Sequence, residues 1–280
     1  MRETTKRKIT GNFDWQPASV VSAFVQGEDA KDIYDSIKDL NLGWCDYDPK
    51  TKTLRGDNPF IEARIDSLVR PLGLRVANLG DLGRPEIMRI VKGKYYSGTP
   101  ALVLRSMKDS NTTNLPLVKR VAELAEEKAG KLKFPFMVKG FDSPESYSVV
   151  PRDDFTVICD ERLDGKYDGK KFSDVDELGL PVFDKGGNRT WYARGEGLSG
   201  VYLDSDLGLY SRNDYLAYSD DYGRVVLVSE ANQKFSAEGA ARENLGMRLN
   251  ELKVERDRQV EEAIAVVEKK YGKAMKLMKG

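Results

Sequence analysis

The chain has 280 residues, 32% of them charged and 40% hydrophobic, with Lys+Arg and Asp+Glu balanced at 45 each. That length and mixture suit a globular protein of one large domain or two small ones, and exclude a disordered chain. A net charge of zero gives no basic field for nucleic acid, and the lack of histidine removes His-based acid–base, nucleophilic and metal-binding chemistry.

The two cysteines, Cys45 and Cys159, are too few for a disulfide framework and, without histidine, for a structural zinc site. No cofactor is implied. No apolar run is long enough to span a bilayer, and no apolar signal-peptide core follows the N-terminus. The basic start (Arg2, Lys6, Arg7, Lys8) suits a solvated tail or contact with an acidic partner.

In chain order, residues 1–16 are irregular, and Pro17 to Phe24 fits a short helix closed by Gly27. A second helix is predicted from Ala30 to Leu40, with Ile33, Ile37 and Leu40 on one stripe. Asp46 to Asp57 reads as a turn-rich loop. Asn58–Pro59 is an N-cap followed by proline at the first helical position, and Ile61, Ile65, Leu68 and Val69 form the apolar side of that helix. Pro85 opens another helix. Ala101–Leu104 is a continuous apolar run, as in a buried strand. Asn114 is expected to cap a helix from Leu115 to Ala129 that ends at Gly130.

Leu132, Phe134, Phe136 and Val138 alternate with polar or smaller residues at a strand period, and Pro135 within that run predicts a sheet edge. Phe155–Cys159, Thr190–Ala193 and Val225–Val228 are further strand candidates, and Lys185 to Asn188 has turn chemistry. From Ser236 the pattern is helical, with Leu245, Leu249, Leu252, Val260, Ile264 and Val267 among the recurring apolar residues. It fits a coiled-coil stem that makes a homo-oligomer, or a long helix lying on its own domain. The order of elements points to an α+β fold: a helical segment at 1–75, a mixed domain at 76–235 and a C-terminal helix at 236–280.

Residues 197–222 differ from the rest. Five of the 13 tyrosines fall there, with five aspartates. Lys and Glu make up 44 of the 280 residues, so a window this long would ordinarily hold about four; it holds none. Tyrosine offers a rigid aromatic face with a polar tip, and Ser, Gly and Asn supply adaptable hydrogen bonds, the mixture of a recognition surface. Leu198, Leu203, Leu209 and Leu216, with Ser199, Ser211 and Ser219, look like the scaffold that anchors it. The same composition also suits an ordinary surface loop. Asp204-Ser-Asp206 invites calcium, but the EF-hand spacing fails because the twelfth position is Tyr215 rather than Glu.

Arg189-Thr-Trp-Tyr192, Gly197-Leu-Ser199, the leucine-anchored segments and Gly223-Arg-Val-Val-Leu-Val228 resemble the variable proteins of archaeal diversity-generating retroelements, as in Nanoarchaeota-like organisms. Arg70-Pro-Leu-Gly-Leu-Arg75 and Lys94-Tyr-Tyr-Ser-Gly98 extend the resemblance, which covers most of 60–260. It implies a C-type-lectin-like fold with N-terminal helices, here followed by a long C-terminal helix. It also implies a hypervariable surface rewritten at adenines, where Asn, Tyr, Asp, Ser, Gly, Arg, Val and Ala are reachable but Lys, Glu, Gln, Met and Trp are not. Carried over by position, the variable ligand-binding residues are Val201, Tyr202, Asp204, Ser205, Asp206, Tyr210, Arg212, Asn213, Asp214, Tyr215, Tyr218, Asp220, Asp221 and Tyr222, with Val225–Val228 as the closing strand.

The resulting expectation is a binding protein rather than an enzyme, whose ligand is a protein or cell-surface macromolecule. The alternative is a calcium-dependent carbohydrate-binding lectin, although the sugar motifs Glu-Pro-Asn and Trp-Asn-Asp are missing. A hydrolase built on Glu196 and Asp204 has only the presence of acids behind it.

Overall fold

The computed structural model describes residues 7–10, 19–22, 25–229 and 258. The chain divides into two units, 1–234 and 235–280. The C-terminal helix expected at 236–280, and the oligomerising stem it would form, lie outside the described residues apart from Arg258, which is helical and exposed. The first unit is a mixed α+β structure whose sheets are mostly antiparallel.

Three helices follow their local signals. Helix α1 (Glu28–Ile37) buries Ala30, Ile33 and Ile37. Helix α2 (Pro59–Val69) starts as its cap demands: the Asn58 side-chain oxygen accepts from the Phe60 and Ile61 amides, and proline fills the first position, where no N–H is needed. After a short α3 (Leu79–Leu82), α4 (Pro85–Val91) again opens on proline. Helix α5 (Leu115–Ala129) has the expected limits but not the expected cap. Asn114 is itself helical, and its side chain is turned to other work described below; Asn111 instead caps the single 3₁₀ turn that leads in.

The strands, in chain order, are β1 (Arg7–Thr10), β2 (Ser19–Ser22), β3 (Asp46–Asp48), β4 (Thr53–Arg55), β5 (Leu74–Val76), β6 (Ser97–Leu104), β7 (Phe136–Asp142), β8 (Val150–Asp160), β9 (Lys171–Val175), β10 (Pro181–Phe183), β11 (Arg189–Ala193), β12 (Leu198–Leu203), β13 (Leu209–Ser211) and β14 (Leu227–Ser229). Nine form one sheet in the order β1-β8-β7-β6-β12-β13-β11-β9-β10, in which β11 and β13 are the parallel pair. A three-stranded sheet runs β2-β14-β5, and β3 pairs with β4.

Several expectations are corrected. Within residues 1–16, Arg7–Thr10 is not irregular but strand β1, paired antiparallel with β8. Pro17 to Phe24 is not helical where described: Ser19–Ser22 is a strand, because Val20 and Val21 are β-branched and β14 offers a partner far along the chain. Asp46 to Asp57 is not loop throughout but holds the β3–β4 hairpin. Pro135 does not mark an edge. It precedes β7, which lies between β6 and β8, so its missing N–H costs no ladder bond.

Strand β6 is buried on both faces, as its unbroken apolar run predicts. Ala101 and Val103 join Met137, Ile158, Trp191, Leu203 and Leu209 in one cluster with Leu82, Ile87 and Val91 of α3 and α4. The intervening Leu102 and Leu104 are equally buried, and α2 and α5 also pack on β6. Strands β12 and β13 and the segment after them carry the tyrosine-rich stretch.

Candidate functional site

The scaffold residues picked out by sequence are inside. Leu198, Leu203, Leu209 and Leu216 are buried, as are Ser199 and Ser211. Arg105 explains the serines. It is buried beside them, donating to the hydroxyls of Ser199 at 2.7 Å and Ser211 at 2.9 Å and to the Leu163 carbonyl. Burial pulls its guanidinium down to about 9. Ser219 is half-buried and accepts from the Asp57 amide.

Of the fourteen ligand-binding candidates, one is misplaced. Val201 is 2% exposed and belongs to the core cluster, where the β12–β6 register shifts between Gly200 and Tyr202. Val201 lies two residues from both Ser199 and Leu203, so strand alternation itself sets it on their inward face. The other thirteen are half-buried or exposed, and Tyr215, Tyr218 and Tyr222 stand 50–60% exposed.

The rings form an ordered face. Tyr192 stacks on Tyr210 with centroids 4.3 Å apart, Tyr210 on Tyr202 at 5.3 Å, and Tyr202 meets Tyr96 edge-on at 5.7 Å. Arg212 lies over Tyr192 and Tyr210, 4.7 and 5.4 Å from their centroids. Burial, helped by Asp204, pushes the Tyr202 phenol up to about 12, and burial with the Asp206 bond raises Tyr210 further. These phenols therefore stay neutral at ordinary pH.

A cavity of about 470 Å³ opens in this face. Val201, Tyr202, Asp204, Ser205, Asn213, Tyr218, Asp220 and Tyr222 line it from the candidate set. Asp206, Tyr210, Arg212, Asp214, Tyr215 and Asp221 lie outside its lining. The opposite wall comes from Asp57, Asn58 and Pro59 and from Lys94, Tyr95 and Tyr96, which sequence reasoning did not assign to the site. Their only signal was the Lys94–Gly98 piece of the family resemblance.

Segment 212–223 is held by its backbone. The Asn114 and Asn111 side chains donate to the Asp214 carbonyl at 2.8 and 3.0 Å, and Asn58 Nδ2 donates to the Ala217 carbonyl. Tyr96 takes four bonds. Its amide donates to the Tyr222 carbonyl, its carbonyl accepts from the Arg224 amide, its hydroxyl donates to the Asp57 carbonyl, and that hydroxyl accepts from the Asp220 amide. Gly43 fits under this segment because it has φ +111° and any Cβ would sit 2.5 Å from the Ala217 oxygen. The closing strand expected at Val225–Val228 begins only at Leu227: Val225 and Val226 precede it as buried residues outside any strand, and their carbonyls accept from the Val25 and Ala77 amides.

Behind the cavity lies a carboxyl pair, Asp57 and Glu62, 1% and 0% exposed. Asp57 Oδ2 accepts from the Gly98 amide at 2.6 Å, while Asp57 Oδ1 and both Glu62 oxygens meet no donor. A Cβ on Gly98 would lie 2.8 Å from Glu62 Oε2, so only glycine admits this approach. Two buried carboxylates in reach of each other cannot both ionise. Burial raises both, Asp57 to about 7 and Glu62 further, with Asp57's charge adding to the rise at Glu62. The consistent state is a protonated Glu62 that donates to Asp57.

The acids of the face are otherwise occupied with turns. Asp204 accepts from the Ser205 amide, Asp206 from the Gly208 amide and the Tyr210 hydroxyl, and Asp220 from the Tyr222 amide and the Tyr218 hydroxyl. Among the described residues no group of three or more Cys, Asp or Glu converges as a metal site would require. Cys45 and Cys159 form no disulfide, and burial pushes the Cys45 thiol up to about 12, the opposite of an activated nucleophile. No helix among the described residues is long and apolar enough to cross a membrane. Comparison of the chain with protein-family models, curated proteins and solved structures yields no match.

Proposed function

We propose that this protein is a ligand-binding protein of the diversity-generating-retroelement type, with a C-type-lectin-like fold and a face of exchangeable side chains spanning 202–222. One observation carries the reading: Leu198, Leu203, Leu209 and Leu216 with Ser199 and Ser211 are buried while thirteen of fourteen candidate positions are not, and Asn58, Asn111, Asn114 and Tyr96 hold the segment through its main-chain atoms. Side chains there can change without removing those bonds. The target is a macromolecule, because Tyr215, Tyr218 and Tyr222 form a broad exposed aromatic surface around the cavity.

A buried acid pair next to a cavity also suits acid–base catalysis. Binding is the better reading here, since Asp57 and Glu62 are almost fully covered and three of their four carboxyl oxygens have no outside donor. The locus tests the proposal. An imperfect DNA copy of this stretch, differing at adenines and lying near a reverse transcriptase gene, is the expected finding; a locus with neither sinks it.

A further inference from the structure

We infer that the cavity receives a basic side chain, lysine or arginine, from a protein partner; the inference rests on the reading of this face as a ligand-contacting surface. Five tyrosines and three aspartates line the cavity against one lysine, Lys94. Asp57, 1% exposed, is one of those aspartates, and beyond the Glu62 carboxyl its Oδ1 meets no donor.

Acids outnumber cations around the cavity. Asp204, Asp206, Asp214, Asp220 and Asp221 form no ion pair with Lys or Arg among the described residues. Arg212 lies over Tyr192 and Tyr210, outside the lining. Arg224 lies over the lining ring of Tyr95 and donates to the Asp221 and Gly223 carbonyls, which leaves Tyr96, Tyr202, Tyr218 and Tyr222 as the rings for an incoming cation.

A cation entering between neutral phenol rings gains from their negative faces. It gains again from the carboxylates, which accept charge-assisted hydrogen bonds. A neutral hydroxylated ligand would leave that charge unmatched, and a phosphate backbone would be repelled by it. A basic side chain projecting from a partner meets both features at once.

The test uses the full chain, titrated by NMR or calorimetry with capped Gly-Lys-Gly and Gly-Arg-Gly peptides, a capped Gly-norleucine-Gly control and methyl glucoside. The expected result is saturable binding of a cationic peptide at least about fivefold tighter than the norleucine peptide, weakening with salt. The double variant Asp204→Asn/Asp220→Asn should lose about fivefold for the cationic peptide while keeping the wild-type melting temperature. Equal binding of the norleucine peptide or the glucoside overturns the inference, as do no binding of any probe up to about 10 mM and unchanged affinity in the double variant. The two proposals fail separately. A locus without a variable repeat removes diversification but leaves a cation-binding cavity standing, whereas a diversified locus with no cation preference leaves the face and removes the cavity's assignment.

Discussion

Asp66, Asp81, Asp154, Asp160 and Asp176 each meet an arginine; Asp204, Asp206, Asp214, Asp220 and Asp221 meet none. Asp66 is the fullest case of the first kind. It is 1% exposed and accepts from Arg70 at 2.8 Å, from Arg152 at 2.7 Å and from the Val76 amide at 2.8 Å. Arg162 likewise bridges Asp160 and Asp176. In that region aspartate fixes the fold through neutralised, hydrogen-bonded charge. On the tyrosine face Asp204, Asp206 and Asp220 shape turns by accepting from neutral amides and phenols, and no arginine neutralises their charge among the described residues. Identical side chains are ion-paired in one region and bonded only to neutral donors in the other, and position relative to arginine marks the difference.

Four experiments break or sharpen that contrast, in falling order of effect. Asp66→Ala should cost about 3–5 kcal/mol in urea unfolding, because Arg152 and the Val76 amide lose a buried partner. A loss below about 1 kcal/mol, the size of an exposed pair, would erase the distinction. The second concerns pH. Asp57 and Glu62 hold protons more tightly folded than unfolded, so their contribution is full below about pH 4 and declines as pH rises towards about 7 and beyond. The decline, on the order of a few kcal/mol, should flatten in Asp57→Asn; equal slopes for the two proteins in pH-dependent melting would place the acid elsewhere.

Third, Asn114→Ala should lose about 1–3 kcal/mol, since it leaves the buried Asp109 carboxylate and the Asp214 carbonyl short of a donor. The stability loss should come with faster amide exchange along 213–216. Finally, Tyr215→Ala, Tyr218→Ala and Tyr222→Ala should each stay within about 0.5 kcal/mol of wild type. A collapse of the melting transition in the triple variant would make these rings part of the fold and end the recognition reading.

Where chain-local chemistry decides an element, the sequence predicted it. Asn58–Pro59 specifies the start of α2 and Pro85 that of α4, while Leu115 to Gly130 carries both limits of α5. Errors appear where a distant partner decides. Ser19–Ser22 becomes a strand because β14 is there to pair with, and Asn114 gives up capping because Asp109 and the Asp214 carbonyl compete for its side chain. The composition of 197–222 exposed the face, and the leucines exposed its scaffold. Val201 entered the candidate set through the family resemblance, against the two-residue period that sets it on the same inward face as Leu203. Glu62 escaped because an acid in the first turn of a helix is ordinarily a surface residue near the positive end of the dipole. Only the packing of Gly98 against it reveals the buried pair.

Tyr96 has a consequence for how the face would respond. One hydroxyl joins the Asp220 amide to the Asp57 carbonyl, and Asp57 holds the proton-sharing partner Glu62. If a partner seated on the loop changes the proton affinity of the acid pair through these bonds, linkage makes the effect reciprocal. Whatever shift in acidity a bound partner imposes, an equal shift in its dissociation constant must accompany a change of pH. Calorimetry in buffers of different ionisation enthalpy would read that exchange as protons taken up or released per molecule bound.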